Sequence, residues 1–139
     1  MSQEQENVEV VRRVIDGVIA AGTSDDWAPV LAELDPEVEV DDLDTVLDSN
    51  HFEGHDGFFK WLAVWNESWE SWKLEDLEVL PAGEDQAIAQ FMMVATGKGS
   101  GMELSRPDAI TFKLRDGKIV GLAYYNDQRR AREAVGLRE

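Results

Sequence analysis

The chain has 139 residues, 43% of them hydrophobic, and a formal net charge of −16. Its length makes one domain, residues 1–139, with enough apolar material for a core that needs no disulfide or metal staple. The absence of cysteine excludes thiol catalysis, cysteine-based zinc sites and a disulfide framework, while the acidic balance disfavours nucleic acid and anionic membrane surfaces.

The acidity is read as a solubility feature rather than as the mark of a cationic partner. The first ten residues, MSQEQENVEV, lack the basic flank and apolar stretch of a secretory signal. No apolar run approaches the roughly 18 residues that span a bilayer. With no cysteine, the expectation is a cytoplasmic protein without a membrane segment.

In chain order, Val8, Val11, Ile15, Val18 and Ile19 recur at helical spacing, predicting a helix over about 4–21 with Gly22 as its stop. Thr23, Ser24 and Asp25 are N-cap candidates for a short second helix carrying Trp27, Val30, Leu31 and Leu34. Pro29 fits that helix only near its first turn, and Asp35-Pro36 ends it. Residues 37–41 alternate apolar and acidic, as a half-buried strand does. Residues 42–53 show no period and are expected to cross the surface near a pocket mouth.

The stretch 54–72, GHDGFFKWLAVWNESWESW, is the one the chain is organised around. Phe58, Trp61, Leu62, Trp65, Trp69 and Trp72 follow the one-face pattern of an amphipathic helix. Beyond it come strand-like stretches: 74–80 closed by Pro81-Ala82-Gly83, then 86–96, then about 102–115 after the glycine-rich bend at 97–101. Asp116-Gly117 is a two-residue hairpin signal leading into a last strand over 118–126. Asp127 can cap a final helix ending near Gly136. The order predicts an α+β fold, a curved antiparallel sheet wrapped on a long central helix.

Several pieces then resemble one family in its own order. These are Asp35-Pro36-Glu37-Val38-Glu39, Gly54-His55-Asp56-Gly57 and Gly99-Ser100-Gly101-Met102-Glu103. Leu114-Arg115-Asp116-Gly117-Lys118-Ile119-Val120 and the ending from Ala131 to Leu137 complete the set. The chain thereby resembles the SnoaL-like proteins of the nuclear transport factor two-like superfamily. The resemblance implies a cone-shaped α+β barrel enclosing a largely apolar pocket, often in a homodimer. That superfamily includes polyketide cyclases, ketosteroid isomerase, limonene epoxide hydrolase and scytalone dehydratase alongside non-catalytic members, so fold does not decide function.

Family enzymes place carboxylates, histidines or tyrosines inside the cone, and burial can raise a carboxylate pKa toward neutrality. Asp108 is the leading catalytic candidate because it shares strand parity with Ile110, Phe112 and Leu114. The competing reading puts it at a solvent-facing strand end, with Pro107 marking a bulge. A carboxylate used by some relatives aligns near Ile110, which cannot do that work.

His51 and His55 are the only histidines. They are candidates for proton transfer, against capping or surface roles, and no metal motif is recognised around them. Trp65 and Trp69 could wall a pocket rather than serve only as core, and Phe112 is a further ligand-binding candidate. Tyr125 and Gln90 could orient a ligand by hydrogen bonding or could face outward, since parity alone does not say which face is inside. The glycine run lacks the helix N-terminus of a phosphate loop, and the acidic cluster at 41–44 lacks calcium-loop spacing and reads as a solvated edge.

The expected function is binding of a hydrophobic small molecule, with no cofactor and no metal. The alternative is a cofactor-independent isomerase, polyketide cyclase or epoxide hydrolase-like enzyme, with Asp108 or a histidine as base and Tyr125 as hydrogen-bond donor. A partner-binding module using the outer sheet face is a third possibility.

Overall fold

Helix α1 (Gln3–Ser24) opens the chain in the computed structural model, which describes residues 2–43 and 50–137. The Ser2 side chain caps it by accepting from the Gln5 amide. The helix runs through the expected stop at Gly22 and ends one turn later, where Asp25 takes a left-handed φ of 59°. Val10, Val11, Val14 and Ile15 form its buried stripe. Gly17 lets the next element approach closely, since a Cβ there would lie 2.7 Å from Cγ2 of Val30.

That next element, α2 (Ala28–Leu31), is a single turn with Pro29 at its start. Asp26 rather than residues 23–25 supplies the side-chain bond, to the Ala28 amide. Leu34 belongs to the strand that follows, β1 (Leu34–Asp42). A short strand β2 (His51–Glu53) pairs antiparallel with β1 in the stretch that shows no sequence period. The rest of that stretch, 44–49, and Asp44 of the acidic cluster lie outside the described residues.

The central helix α3 spans Gly54–Ser68 and buries Phe58, Trp61, Leu62 and Trp65. It is shorter than the aromatic stripe predicts: Trp69 is already extended, and strand β3 (Trp69–Pro81) carries Trp69 and Trp72. Register shifts between Trp69 and Ser71, and again between Glu75 and Glu78, mark bulges in β3. A bulge adds one residue to a strand face. Side chains three apart, Trp69 and Trp72 or Leu74 and Leu77, can therefore pack on one core, as all four do.

Strands β4 (Gln86–Gly97), β5 (Glu103–Arg115) and β6 (Lys118–Tyr125) follow as an antiparallel meander. Asp116 and Gly117 join the last two with φ of 53° and 77°, the paired left-handed backbone of a tight hairpin. The sheet order is β2-β1-β6-β5-β4-β3. All neighbours are antiparallel except β1 and β6, which run parallel, so the sheet is mixed. It is a curved six-stranded sheet, open rather than closed into a barrel. Helix α3 packs against β1 and β2, while α1 covers β3 and β4, and the main core lies between helices and sheet. Helix α4 (Gln128–Ala134), capped by Asp127, covers a smaller cluster of Ile88, Ala109, Tyr125, Ala131 and Val135. No helix among the described residues is long and apolar enough to cross a membrane.

Candidate functional site

The two inner helices and the sheet leave a gap of about 70 Å³ between them. Val14, Ile15 and Val18 of α1 border it on one side, and Trp61, Leu62 and Trp65 of α3 on another. Phe91, Ile110, Phe112 and Tyr124 of the sheet form its floor. Ile19 also borders the gap and is 50% exposed, so the space opens beside the C-terminal half of α1, near Trp72 and Leu74 of β3.

Behind this wall sit two buried carboxylates. Asp42 ends β1 with no solvent exposure, and its Oδ2 accepts from both the Trp61 indole at 2.8 Å and the Trp65 indole at 3.1 Å. Residues 61 and 65 are four apart and share a helix face, which lets one oxygen meet both rings. The expected solvated edge is thus corrected at this position: two buried indole donors need an acceptor, and the carboxylate supplies it.

Asp108 is the second, also fully buried. It receives Arg106 Nε at 2.6 Å and Nη2 at 3.0 Å, and the Tyr124 hydroxyl at 2.5 Å. The register from Gln86–Lys113 to Thr96–Glu103 is unbroken across β4 and β5, so Pro107 introduces no bulge and Asp108 keeps the parity of Ile110 and Phe112. The reading of a solvent-facing strand end does not hold, because a bidentate guanidinium satisfies the buried charge. The Asp108 hydrogen bond holds the Arg106 guanidinium above its ordinary value. Burial, followed by the nearby Asp108 charge, pushes the Tyr124 phenol far above its ordinary value, so the hydroxyl stays a neutral donor.

The other predicted residues separate. Trp65 and Phe112 border the gap, whereas Trp69 packs on the core without lining it and Trp72 takes that place. Tyr125 faces the opposite side of the sheet, under α4, with the Arg130 guanidinium 5.8 Å from its ring centroid. A register shift between Lys113 and Leu114, opposite residues 119–121, exchanges the faces of β6, and Leu122 and Tyr124 point inward instead. Gln90 also lies outside the gap, accepting from Arg132 Nη1 at 2.5 Å.

Neither histidine borders the gap. His55 Nε2 lies 3.1 Å from the Leu34 carbonyl. His51 stands on the exposed β1–β2 ribbon, with Nδ1 2.6 Å from Asp41 and Nε2 3.1 Å from Glu53. The hydrogen bond to Asp41, then that to Glu53, raises its pKa above the ordinary value. With Glu39 and Glu53 it makes a group of donor atoms within 4.8 Å of one another that could hold a metal ion, all three side chains being exposed. Sequence reasoning missed Asp42, Arg106 and Tyr124. The Arg-x-Asp spacing in β5 was an available signal for Arg106, whereas Tyr124 comes opposite Ile110 only through the register shift in β6.

A SnoaL-like domain family model matches residues 11–122, and the chain belongs to that family. The fold is similar to a candidate polyketide cyclase from Xanthomonas campestris pv. campestris, at 22% identity and TM-score 0.72, over 97% of this chain and 100% of that one. It is similar to TerC co-crystallised with polyporic acid, at 18% identity and TM-score 0.71, over 94% of this chain and 98% of that one. A nuclear transport factor two-like protein of unknown function from Burkholderia pseudomallei K96243 matches at 18% identity and TM-score 0.74, over 98% and 99% of the two chains. No curated protein sequence matches. At these identities the structural likeness establishes the fold alone.

Proposed function

We propose that this protein binds an apolar, ring-containing small molecule in the gap between α1, α3 and the sheet. The observation that carries this reading is the wall itself, which is almost wholly apolar and rich in aromatic side chains. Small-molecule sites in general join a mostly apolar lining to a few placed polar groups. The gap holds about 70 Å³, roughly half of the ~150 Å³ cavity that takes benzene in a protein interior. A larger ligand therefore enters by parting the walls at the open side, where Ile19 and Trp72 sit. The similarity to TerC, crystallised with polyporic acid, is consistent with a small-molecule role. By family likeness we also propose a homodimer, to be checked by sedimentation.

A second reading, acid–base catalysis on a hydrophobic substrate, is favoured by one arrangement. Tyr124 is the cavity-facing end of a buried chain through Asp108 to Arg106. In that reading the Tyr124 oxygen would take a proton from the substrate as its own hydroxyl proton passes along the existing hydrogen bond to the Asp108 carboxylate, which ends protonated beside Arg106. His51 and His55 lie outside the gap and have no part in it. The candidate cyclase among the similar structures supports testing this reading without establishing it.

A thermal-shift screen of polyketides, steroids and terpenoid epoxides, repeated on Asp108→Asn, separates the readings. A ligand specific to the folded state raises the melting temperature. A hit without turnover supports the binder, and turnover lost in Asp108→Asn supports the enzyme. The absence of any hit contradicts both.

A further inference from the structure

Four residues of the cavity wall carry a nitrogen or oxygen on their side chains, and each such atom is already engaged. Tyr124 donates to Asp108 and Trp72 donates to Asn66 on the last turn of α3. Trp61 and Trp65 both donate to Oδ2 of Asp42. Asp42 does not border the cavity; it lies behind the two indoles, so the rings turn their carbon edges and faces to the open space.

Its position is set by the sheet. Asp42 pairs with Tyr124 in the parallel register of β1 and β6, and the next residue, Leu43, donates its amide to the Tyr124 carbonyl at 3.1 Å. The carboxylate is therefore fixed beside the cavity floor at the height where α3 presents residues 61 and 65. Hydrogen bonds to an ionised acceptor are roughly twice as strong as neutral ones. One fully buried oxygen can thus hold two large rings against rotation.

We propose that Asp42 determines ligand specificity by tethering both indole N–H groups away from the cavity, so that the site selects ligands whose buried end is a hydrocarbon ring. The inference rests on the binding reading above. A ligand carbonyl pushed into this space loses its water and meets no free donor, whereas a methyl group loses nothing. Without the carboxylate, Trp61 and Trp65 must find another acceptor, and rotation about χ2 offers their N–H groups to the cavity they line.

The test compares toluene with benzaldehyde, one ring with and without an acceptor, by calorimetric titration of wild type, Asp42→Ala and Asp42→Asn. Asparagine keeps an acceptor oxygen of the same reach and serves as the conservative control. The ratio of the two affinities removes any general loss of packing common to both compounds. The expected result is that the preference for toluene falls about tenfold in Asp42→Ala, the scale set by one newly satisfied buried donor, and is largely retained in Asp42→Asn. An unchanged ratio in folded Asp42→Ala overturns the proposal while leaving the pocket intact.

If Asp42→Ala does not fold, indole N–H resonances of wild type decide. Those of Trp61 and Trp65 are expected to exchange slowly with solvent and to respond alike to both compounds. A benzaldehyde-specific shift of either one overturns the proposal. Failure of both compounds to bind wild type instead overturns the binding reading itself.

Discussion

Tyr124 and Asp108 face each other from neighbouring strands and share a 2.5 Å hydrogen bond with no solvent at the carboxylate. Ile110, two residues along β5, is the register partner of Tyr124, so the bond is diagonal across the pair. A neutral donor on a buried charge is worth about 2 kcal/mol, and Tyr124→Phe should lower stability by that amount in urea unfolding. The pH dependence has a definite sign. The folded-state phenol pKa is raised, by burial first and by Asp108 second. Its contribution is full below the unfolded value of about 10 and is lost as pH rises beyond it, by up to about 1.4 kcal/mol per pH unit. Unfolding curves of wild type and Tyr124→Phe should run parallel below that pH and converge above it.

Arg106 and Asp108 form the pair that holds this end of the core. The guanidinium is partly exposed, with 27% of its side chain accessible, while the carboxylate has none. Removing the cation strands a buried charge, so Arg106→Leu is expected to cost about 3 kcal/mol. The double variant Arg106→Leu/Asp108→Leu should be less destabilised than the sum of the single changes. Additive losses in urea unfolding would show that the pair is not coupled.

The sequence revealed the fold where one period ruled an element. It misled where a bulge imitated another period. Trp69 and Trp72 continue the spacing of Trp61 and Trp65, yet a bulge in β3 lets side chains three apart share a core. In β6 the sequence leaves the inward face open, and the register shift opposite residues 119–121 decides it, turning Leu122 and Tyr124 inward and Tyr125 to the other side. Asp108 could be assigned to the core from Ile110 and Phe112 because β5 is regular against β4 there. Asp42 could not, since the reason it is buried lies on another element, in two indoles some twenty residues away. Long-range polar partners leave no local period.

On the exposed ribbon, His51 sits between Asp41, Glu53 and Glu39. Its pKa is raised, chiefly by the Asp41 hydrogen bond. The charged imidazole therefore stabilises fully below its unfolded value of about 6.5, and that contribution is lost as pH rises through the higher folded-state value. Exposure to solvent keeps the effect small. NMR titration should place the His51 midpoint above 6.5, and His51→Gln should flatten the stability profile in this window. A midpoint at or below 6.5 would mean that Asp41 and Glu53 do not act on the ring.

The central claim, that the gap between α1, α3 and the sheet is a ligand site, is tested most directly by filling it. Ile110→Phe places a larger side chain on the cavity floor. Calorimetric titration of toluene into wild type should show saturable binding that weakens at least about tenfold in the folded Ile110→Phe protein, since an added ring competes for the same volume. Equal affinity for the two proteins, or no binding to wild type, would contradict the account.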